Sequence, residues 1–149
     1  MGGSRAVLMV GLFLLASASA PLASSHTQQT LTVILVEDGV VSGNITDPAF
    51  VQGNALWFRM EDNTENTTMK VRLDIDQDGV FNASNDFEST DLVHECELNE
   101  TGALVDEDCA VSATYAFSMN ATVGTYAFWV HRTSNETETV WNHTVAVHK

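Results

Sequence analysis

The chain has 149 residues, 44% of them hydrophobic, and a formal net charge of −14 at pH 7. This length suits one domain with a single hydrophobic core. Only six Lys and Arg residues stand against 20 Asp and Glu, which argues against nucleic acids and anionic membrane surfaces as partners, since both are bound through clustered cations. The acidity is typical of proteins that stay soluble in salty or calcium-bearing surroundings.

The N-terminal segment has the pattern of a secretory signal peptide. Arg5 provides a short positive region, residues 6–16 form an apolar run, and residues 16–25 are rich in small side chains. A membrane span needs roughly 20 apolar residues, so the run is too short to remain as an anchor. We expect residues 1–25 to be a signal peptide, cleaved after Ala18 or around residues 23–25, and residues 26–149 to form one secreted or cell-surface domain.

Most of the remaining chain alternates apolar with polar residues, the pattern of strands with one buried face. A shorter stretch at 40–45 accompanies six clear ones. The predicted strands are 31–36, 40–45, 56–60, 69–73, 111–119, 126–130 and 141–147. No window shows a sustained helical period. The pattern therefore predicts an all-β fold, an antiparallel two-sheet β-sandwich of about seven strands.

A long segment, residues 74–109, interrupts this alternation and begins with an acidic motif. Asp74, Asp76 and Asp78 occupy alternate positions before Gly79, which permits a sharp turn. This arrangement of oxygen ligands predicts a calcium site, and the alternative is an Asp-Gly turn without a metal. The candidate ligands are side-chain oxygens and one backbone carbonyl: Asp74, Asp76, Asp78, Val80 (through its carbonyl), Asn82 and Asp86.

The motif departs from an EF-hand in two respects. Its twelfth position is Asn85 instead of Glu, with Asp86 one place later, and a predicted strand precedes it in place of a helix. We therefore expect a structural role, in which calcium neutralises the mutual repulsion of the carboxylates and fixes the long connection.

The two cysteines, Cys96 and Cys109, lie in the same long connection. In an oxidising compartment a disulfide is the simplest interpretation of such a pair. Metal binding by thiolates is the alternative, but the close Cys-x-x-Cys spacing is absent. In the chain-entropy model the bridge would stabilise the fold by roughly 3 kcal/mol.

Seven of the ten asparagines begin an Asn-x-Ser/Thr sequence. The excess favours glycan acceptors on an exported protein, although a Thr-rich β protein forms some such triplets by chance. None falls on a predicted core-facing position, in agreement with the strand register. A glycan at Asn82 would compete with its role as a ligand. The candidate acceptors are Asn44, Asn66, Asn82, Asn99, Asn120, Asn135 and Asn142.

Two parts of the chain resemble known secreted modules. Residues 124–130, a polar turn and residues 140–147 resemble the closing strands of immunoglobulin-like, polycystic-kidney-disease-like and pre-peptidase C-terminal β-sandwich modules. Residues 42–45, 56–58 and 73–76 also resemble the pre-peptidase C-terminal pattern. The resemblance implies an accessory, non-catalytic module of surface or secreted proteins, sometimes calcium-dependent.

The sequence offers no catalytic constellation. It lacks a Gly-x-Ser-x-Gly elbow, a His-Glu-x-x-His motif and a phosphate-binding glycine loop, and its histidines are scattered. A blue-copper site needs an unpaired Cys with His and Met close behind it, whereas the first histidine after Cys109 is His131. Trp57, Trp129 and Trp141 offer a possible aromatic platform for carbohydrate.

Two functional hypotheses follow. The first is an exported, calcium-stabilised, glycosylated and non-catalytic surface module that binds or adheres to a protein or glycan at the cell surface. The second is a self-associating structural subunit of a filament or layer, in which a strand such as residues 31–36 adds to the open sheet edge of a neighbour. A secreted enzyme is the third hypothesis.

Overall fold

A computed structural model describes residues 27–149 as two packed four-stranded sheets, with no helix in that range. Sheet A has the strand order β2-β1-β3-β6 and sheet B the order β5-β4-β7-β8. The strands are β1 Thr30–Val36, β2 Gly39–Val40, β3 Ala55–Met60, β4 Thr67–Leu73, β5 Phe87–Glu88, β6 Ser112–Ala116, β7 Gly124–Ser134 and β8 Thr137–Val147. The predicted all-β sandwich is confirmed, whereas the predicted signal peptide at 1–25 lies outside the described residues.

The core forms where alternate residues of the two sheets face each other. On β4, Met69, Val71 and Leu73 are fully buried while the residues between them are half-exposed, as the two-residue period predicts. Phe58 of sheet A meets Phe128 of sheet B with ring centroids 5.7 Å apart. Each large apolar side chain buried in this way contributes about 1.5–3 kcal/mol.

One strand pairing differs from the antiparallel prediction. Five of the six pairings are antiparallel, but β1 and β3 run parallel, from Thr30 opposite Ala55 to Leu35 opposite Met60. After the β1–β2 hairpin, residues 41–54 return along β8 to the end of the sandwich where β1 begins. Periodicity could not reveal this arrangement, because it specifies the buried face of a strand and not its neighbour.

Two predicted strands are shorter than expected. β6 ends at Ala116, because the backbone N–H groups of Asn120 and Ala121 bond to Ser118 and turn the chain there. Met119, predicted to lie on the buried face, is consequently 56% exposed. β2 ends at Val40, and the predicted continuation to Ile45 instead crosses to β8, where Ile45 bridges Val145.

The long connection after β4 is irregular, as predicted, but it is anchored at its middle. β5 pairs with the end of β4 and supplies an eighth strand. Leu92 is fully buried and exchanges two backbone hydrogen bonds with Met69, at 3.0 and 2.6 Å. This anchor divides the connection into an acidic loop, residues 74–86, and a cysteine loop, residues 96–109.

Candidate metal centre

The acidic loop begins where β4 ends and is held there by backbone hydrogen bonding. The Asp74 N–H donates to the Ala127 carbonyl at 2.9 Å, which extends the β4–β7 pairing by one residue. Asp74 is buried at this position, with only 1% of the residue exposed. Asp76 and Asp78 follow at alternate positions and are exposed.

Four of the six predicted ligands converge. Asp74, Asp76, Asp78 and Asp86 each offer a carboxylate oxygen, and these oxygens all lie within 4.8 Å of one another. Calcium binds oxygen at about 2.3–2.6 Å, so opposite ligands of one ion lie roughly 5 Å apart. The cluster therefore has the dimensions of a single cation site.

One buried oxygen of Asp74 favours a metal site over an acidic turn without a metal. Its Oδ2 accepts a hydrogen bond from the Gly79 N–H at 2.7 Å. Its Oδ1 is buried and has no hydrogen-bond partner in the described part of the chain. Burying a carboxylate oxygen without a partner is costly, and a cation at the cluster would supply the missing interaction.

The loop is closed by Asp86, which bridges its two ends. Asp86 Oδ1 accepts a hydrogen bond from the Ile75 N–H and Oδ2 one from the Asn82 N–H, both at 2.8 Å. Each oxygen keeps a second lone pair that can face a cation. Gly79 has a φ of +82°, a conformation that glycine adopts without steric cost.

Gln77 fastens the loop to the first residues of β7. Its backbone is left-handed, with a φ of +58°, and its Nε2 donates to the Thr125 carbonyl at 3.2 Å. A side chain at Gly124 would place its Cβ 2.9 Å from that Nε2. The absence of a side chain at Gly124 therefore leaves room for the docked loop.

Two predicted ligands are not part of the carboxylate cluster. Asn82 Oδ1 accepts hydrogen bonds from Ser84, at 3.1 Å from its N–H and 2.8 Å from its hydroxyl. Coordination by Asn82 would displace one of these bonds. The Val80 N–H donates to Asp78 Oδ1 at 3.0 Å, and its carbonyl stays a predicted ligand.

The close approach of the carboxylates in the cluster gives Asp76 and Asp78 different pKa values. The pKa of Asp76 is raised to about 6, chiefly because its carboxyl can share a proton with Asp74, and further by desolvation and by Asp78. The Val80 N–H lowers the pKa of Asp78 by bonding to its ionised form. Between about pH 4 and 6 the metal-free cluster therefore retains a proton that an ordinary aspartate has lost.

This predicts an inverted pH dependence for the metal-free protein. Asp76 binds a proton more tightly when folded than its ordinary pKa of 3.8 allows, so its contribution to stability falls as the pH rises from about 4 to 6. We expect an Asp76→Asn variant to gain Tm over the wild type at neutral pH and to lose that advantage below about pH 4. Thermal melts of chelator-dialysed protein would measure this, and a variant whose advantage grew on acidification would contradict it.

The predicted disulfide is present in the cysteine loop. Cys96 and Cys109 are bonded, with Cα atoms 6.0 Å apart. An intramolecular disulfide indicates an oxidising, extracellular environment. Among residues 27–149 there is no helix with the length and apolar character that a membrane crossing requires.

All seven candidate glycan acceptors lie on the surface. Each of these asparagines is exposed, whereas the buried Asn54 does not begin an acceptor sequence. The expectation that none points into the core is confirmed. Their modification stays a prediction.

The possible tryptophan platform does not form. Trp57 and Trp129 lie on the outer faces of opposite sheets, on β3 and β7. Trp141 packs against the core. No single surface carries all three rings.

One buried polar network was not predicted from the sequence. Asp62 is 3% exposed, and its Oδ2 accepts a hydrogen bond from Arg132 Nε at 2.6 Å, while Oδ1 accepts two from Thr64. The sequence did contain a sign of this network. Arg132 lies on β7 at the same alternate positions as the buried Phe128 and Val130. A cation on a core-facing position implies a buried acidic partner.

The chain matches no protein-family model and has no significant match among the curated proteins. The resemblance to pre-peptidase C-terminal and immunoglobulin-like modules therefore stays a prediction.

Proposed function

We propose that this chain is an exported, non-catalytic surface module whose acidic loop binds calcium and which recognises a protein or glycan at the cell surface. The observation that carries the metal part is the buried, unpartnered Oδ1 of Asp74 within a cluster of four carboxylates. A glycoprotein role is supported by the seven exposed acceptor asparagines.

Calcium suits the donor set better than other common metals. The cluster offers only oxygen ligands from acidic residues, whereas zinc and copper favour nitrogen and sulfur. Magnesium demands near-ideal octahedral geometry and dehydrates reluctantly, while calcium accepts irregular shells of six to eight oxygens. An irregular loop with two exposed aspartates fits the calcium case.

Bound calcium would stabilise the folded state by ligand linkage. Extracellular calcium modules commonly have a Kd of about 10⁻⁴–10⁻³ M. At ten times the Kd, binding contributes about 1.4 kcal/mol. Besides this, calcium would join the end of β4 to the start of β7 through the docked loop, so the end of the sandwich would become more rigid.

The disulfide and the acidic surface support an extracellular setting. The bond between Cys96 and Cys109 persists where thiols are not kept reduced. The binding partner is assigned only by class, as a protein or glycan at the surface.

The second hypothesis was that β1 of one subunit adds to the sheet edge of a neighbour. The position of β1 in the structure argues against β1 as the donated strand. Residues 30–35 already pair with β3, and residues 35–36 pair with β2. Donating β1 to a neighbour would break these pairings and expose Val33 and Leu35, which are fully buried. Self-association through a free sheet edge would not carry that cost.

The test of calcium binding is a thermal melt in millimolar calcium and in excess chelator. We expect the wild-type Tm to fall by several degrees in chelator. An Asp76→Ala/Asp78→Ala variant should show no such difference. The matched control is Asp106→Ala/Asp108→Ala, a second Asp-x-Asp pair with the same internal N–H contact but outside the cluster.

The control variant should keep the full calcium response. Equal melts of the wild type in calcium and chelator, together with no heat of binding in titration calorimetry, would refute the metal site. An equal response to magnesium would refute the assignment to calcium.

A further inference from the structure

Strand β8 is covered along only part of its outer side. From residue 144 onward, the segment between β2 and β3 lies beside β8 and forms backbone hydrogen bonds with it. The Ile45 N–H donates to the Thr144 carbonyl at 2.8 Å, and the Ala146 N–H donates to the Ile45 carbonyl at 2.9 Å. At residues 137–143, β8 pairs with β7 on one side, and no described strand lies on the other. We call residues 137–143 the open edge.

The direction of the backbone groups at the open edge follows from Thr144. Its carbonyl bonds to Ile45 and its N–H to Asn44 Oδ1, so both point away from β7. Because this direction repeats every second residue, Asn142, Val140 and Glu138 also present their N–H and C=O groups outward. Three donors and three acceptors therefore face solvent in strand geometry.

The protein gives this edge little of the usual protection. Natural edge strands carry lysine, proline or a bulge, or are short. The open edge has no lysine or proline, one acidic residue, Glu138, and a central Val140 that is 46% exposed. Its β-branched composition favours strand pairing.

Glycan acceptors surround the open edge instead. Asn142 lies on it, Asn135 forms the turn that precedes it, and Asn44 caps its far end at Thr144. All three are exposed. Asn142 pairs with Trp129 and therefore points to the outer face of sheet B. A sugar attached there would stand beside the outward backbone groups, about one strand spacing of 4.7–4.9 Å from an incoming strand, and its bulk would crowd that strand.

We propose that the open edge pairs antiparallel with the same edge of a second copy of this chain, and that a glycan on Asn142 blocks this pairing. The proposal rests on the proposed function only in assigning a glycan to Asn142. A two-fold register centred on Val140 places Val140 opposite Val140 and Glu138 opposite Asn142. No like charges then face each other, so the edge is complementary to itself.

The pairing is weak and depends on salt. Seven paired residues are less than a standard stable interface, and each copy carries a net charge of −14. Screening length falls from about 10 Å at 0.1 M salt to about 3 Å at 1 M. Association therefore strengthens as salt is raised, which distinguishes it from an ion-paired dimer.

The test is sedimentation velocity of the full mature protein across a concentration series in high salt. Protein made in a host without N-glycosylation is expected to form a concentration-dependent dimer, and the glycosylated protein to stay monomeric. In the glycosylating host, Asn142→Gln should dimerise, whereas the matched variant Asn99→Gln, which removes an acceptor on the cysteine loop, should not.

Val140→Pro should restore the monomer in unglycosylated protein. The Val140 N–H points away from β7, so proline at this edge position removes no bond of the β7–β8 ladder. Should Val140→Pro fail to fold, Val140→Lys serves the same purpose, because the two-fold register would oppose two lysines. A circular dichroism melt checks that either variant is folded.

A monomeric unglycosylated protein at every concentration and salt would overturn the pairing, as would a folded Val140→Lys that dimerises like its parent. Mass spectrometry showing Asn142 unmodified in the glycosylating host would overturn the control by glycan. Repeating the series in chelator separates this proposal from the metal site, because a protein that fails to bind calcium should still dimerise.

Discussion

Replacing Arg132 with methionine is expected to lower the free energy of unfolding by about 3–5 kcal/mol, because it leaves a buried carboxylate without its cationic partner. The side chain of Asp62 is 1% exposed and that of Arg132 13%. Methionine retains much of the apolar stem but cannot donate to Asp62 Oδ2. The Tm should fall on the order of 10–20 °C, measured by differential scanning calorimetry.

The matched control is Arg59→Met. Arg59 also contacts an acid at 2.6 Å, namely Glu61, but the two side chains are 50% and 36% exposed. Ion pairs of this kind contribute about 0–1 kcal/mol. Equal losses for the two variants would show that burial of the Asp62 pair has no special weight.

Acid titration provides a second measurement on the same pair. Burial acts to raise the pKa of Asp62, but the hydrogen bonds from Arg132 and Thr64 outweigh it and hold the pKa below its ordinary value. A depressed carboxyl pKa stabilises the fold above the unfolded value of about 3.8, and the benefit is lost as the pH falls through the folded pKa. The difference between wild type and Arg132→Met should therefore shrink in acid.

A Cys96→Ser/Cys109→Ser variant is expected to lose about 3 kcal/mol. The bridge closes a loop with a sequence separation of 13 residues, and most of its contribution comes from restricting the unfolded chain. Leu98 and Val105 within the loop are 58% and 57% exposed, so few native contacts would be lost with the bond. Chemical denaturation should show a lower midpoint with a larger m-value.

The control for this variant is its response to calcium. Leu92 separates the cysteine loop from the acidic loop, so the Tm difference between calcium and chelator should be the same as in the wild type. A variant that had lost its calcium response would show that the two loops are coupled. Unchanged stability would show that the reduced loop stays ordered without its bond.

Sequence periodicity predicted the faces of the strands well and their partners poorly. On β4 and β7 the alternation identified Met69, Val71, Phe128 and Val130 as buried, because one face of a sheet must exclude water. The parallel β1–β3 pairing could not be derived, because it depends on how residues 41–54 cross the sandwich. Met119 was wrongly placed in the core, because apolar alternation continues beyond the turn at Ser118.

The acidic cluster was predictable as far as local spacing determines it. Asp74, Asp76 and Asp78 share one short loop, and Asp86 was predicted as a further ligand of the same ion. The burial of Asp74 Oδ1 without a hydrogen-bond partner could not be predicted in this way. It depends on the tertiary structure around Asp74, which includes β7, and has no sequence signature. The Asp62–Arg132 pair spans 70 positions, so sequence could suggest only that Arg132 needed a partner.

The chain order of the strands has a kinetic consequence. Within residues 27–149, short hairpins join β1 to β2 and β7 to β8, whereas β3 pairs with β6 and β4 with β7 across more than 50 residues. Such non-local topologies fold in milliseconds to seconds. A nascent polypeptide would thus expose apolar strands until the β7–β8 hairpin had been synthesised. Sugars added to the acceptor asparagines during synthesis would keep the chain soluble over that time.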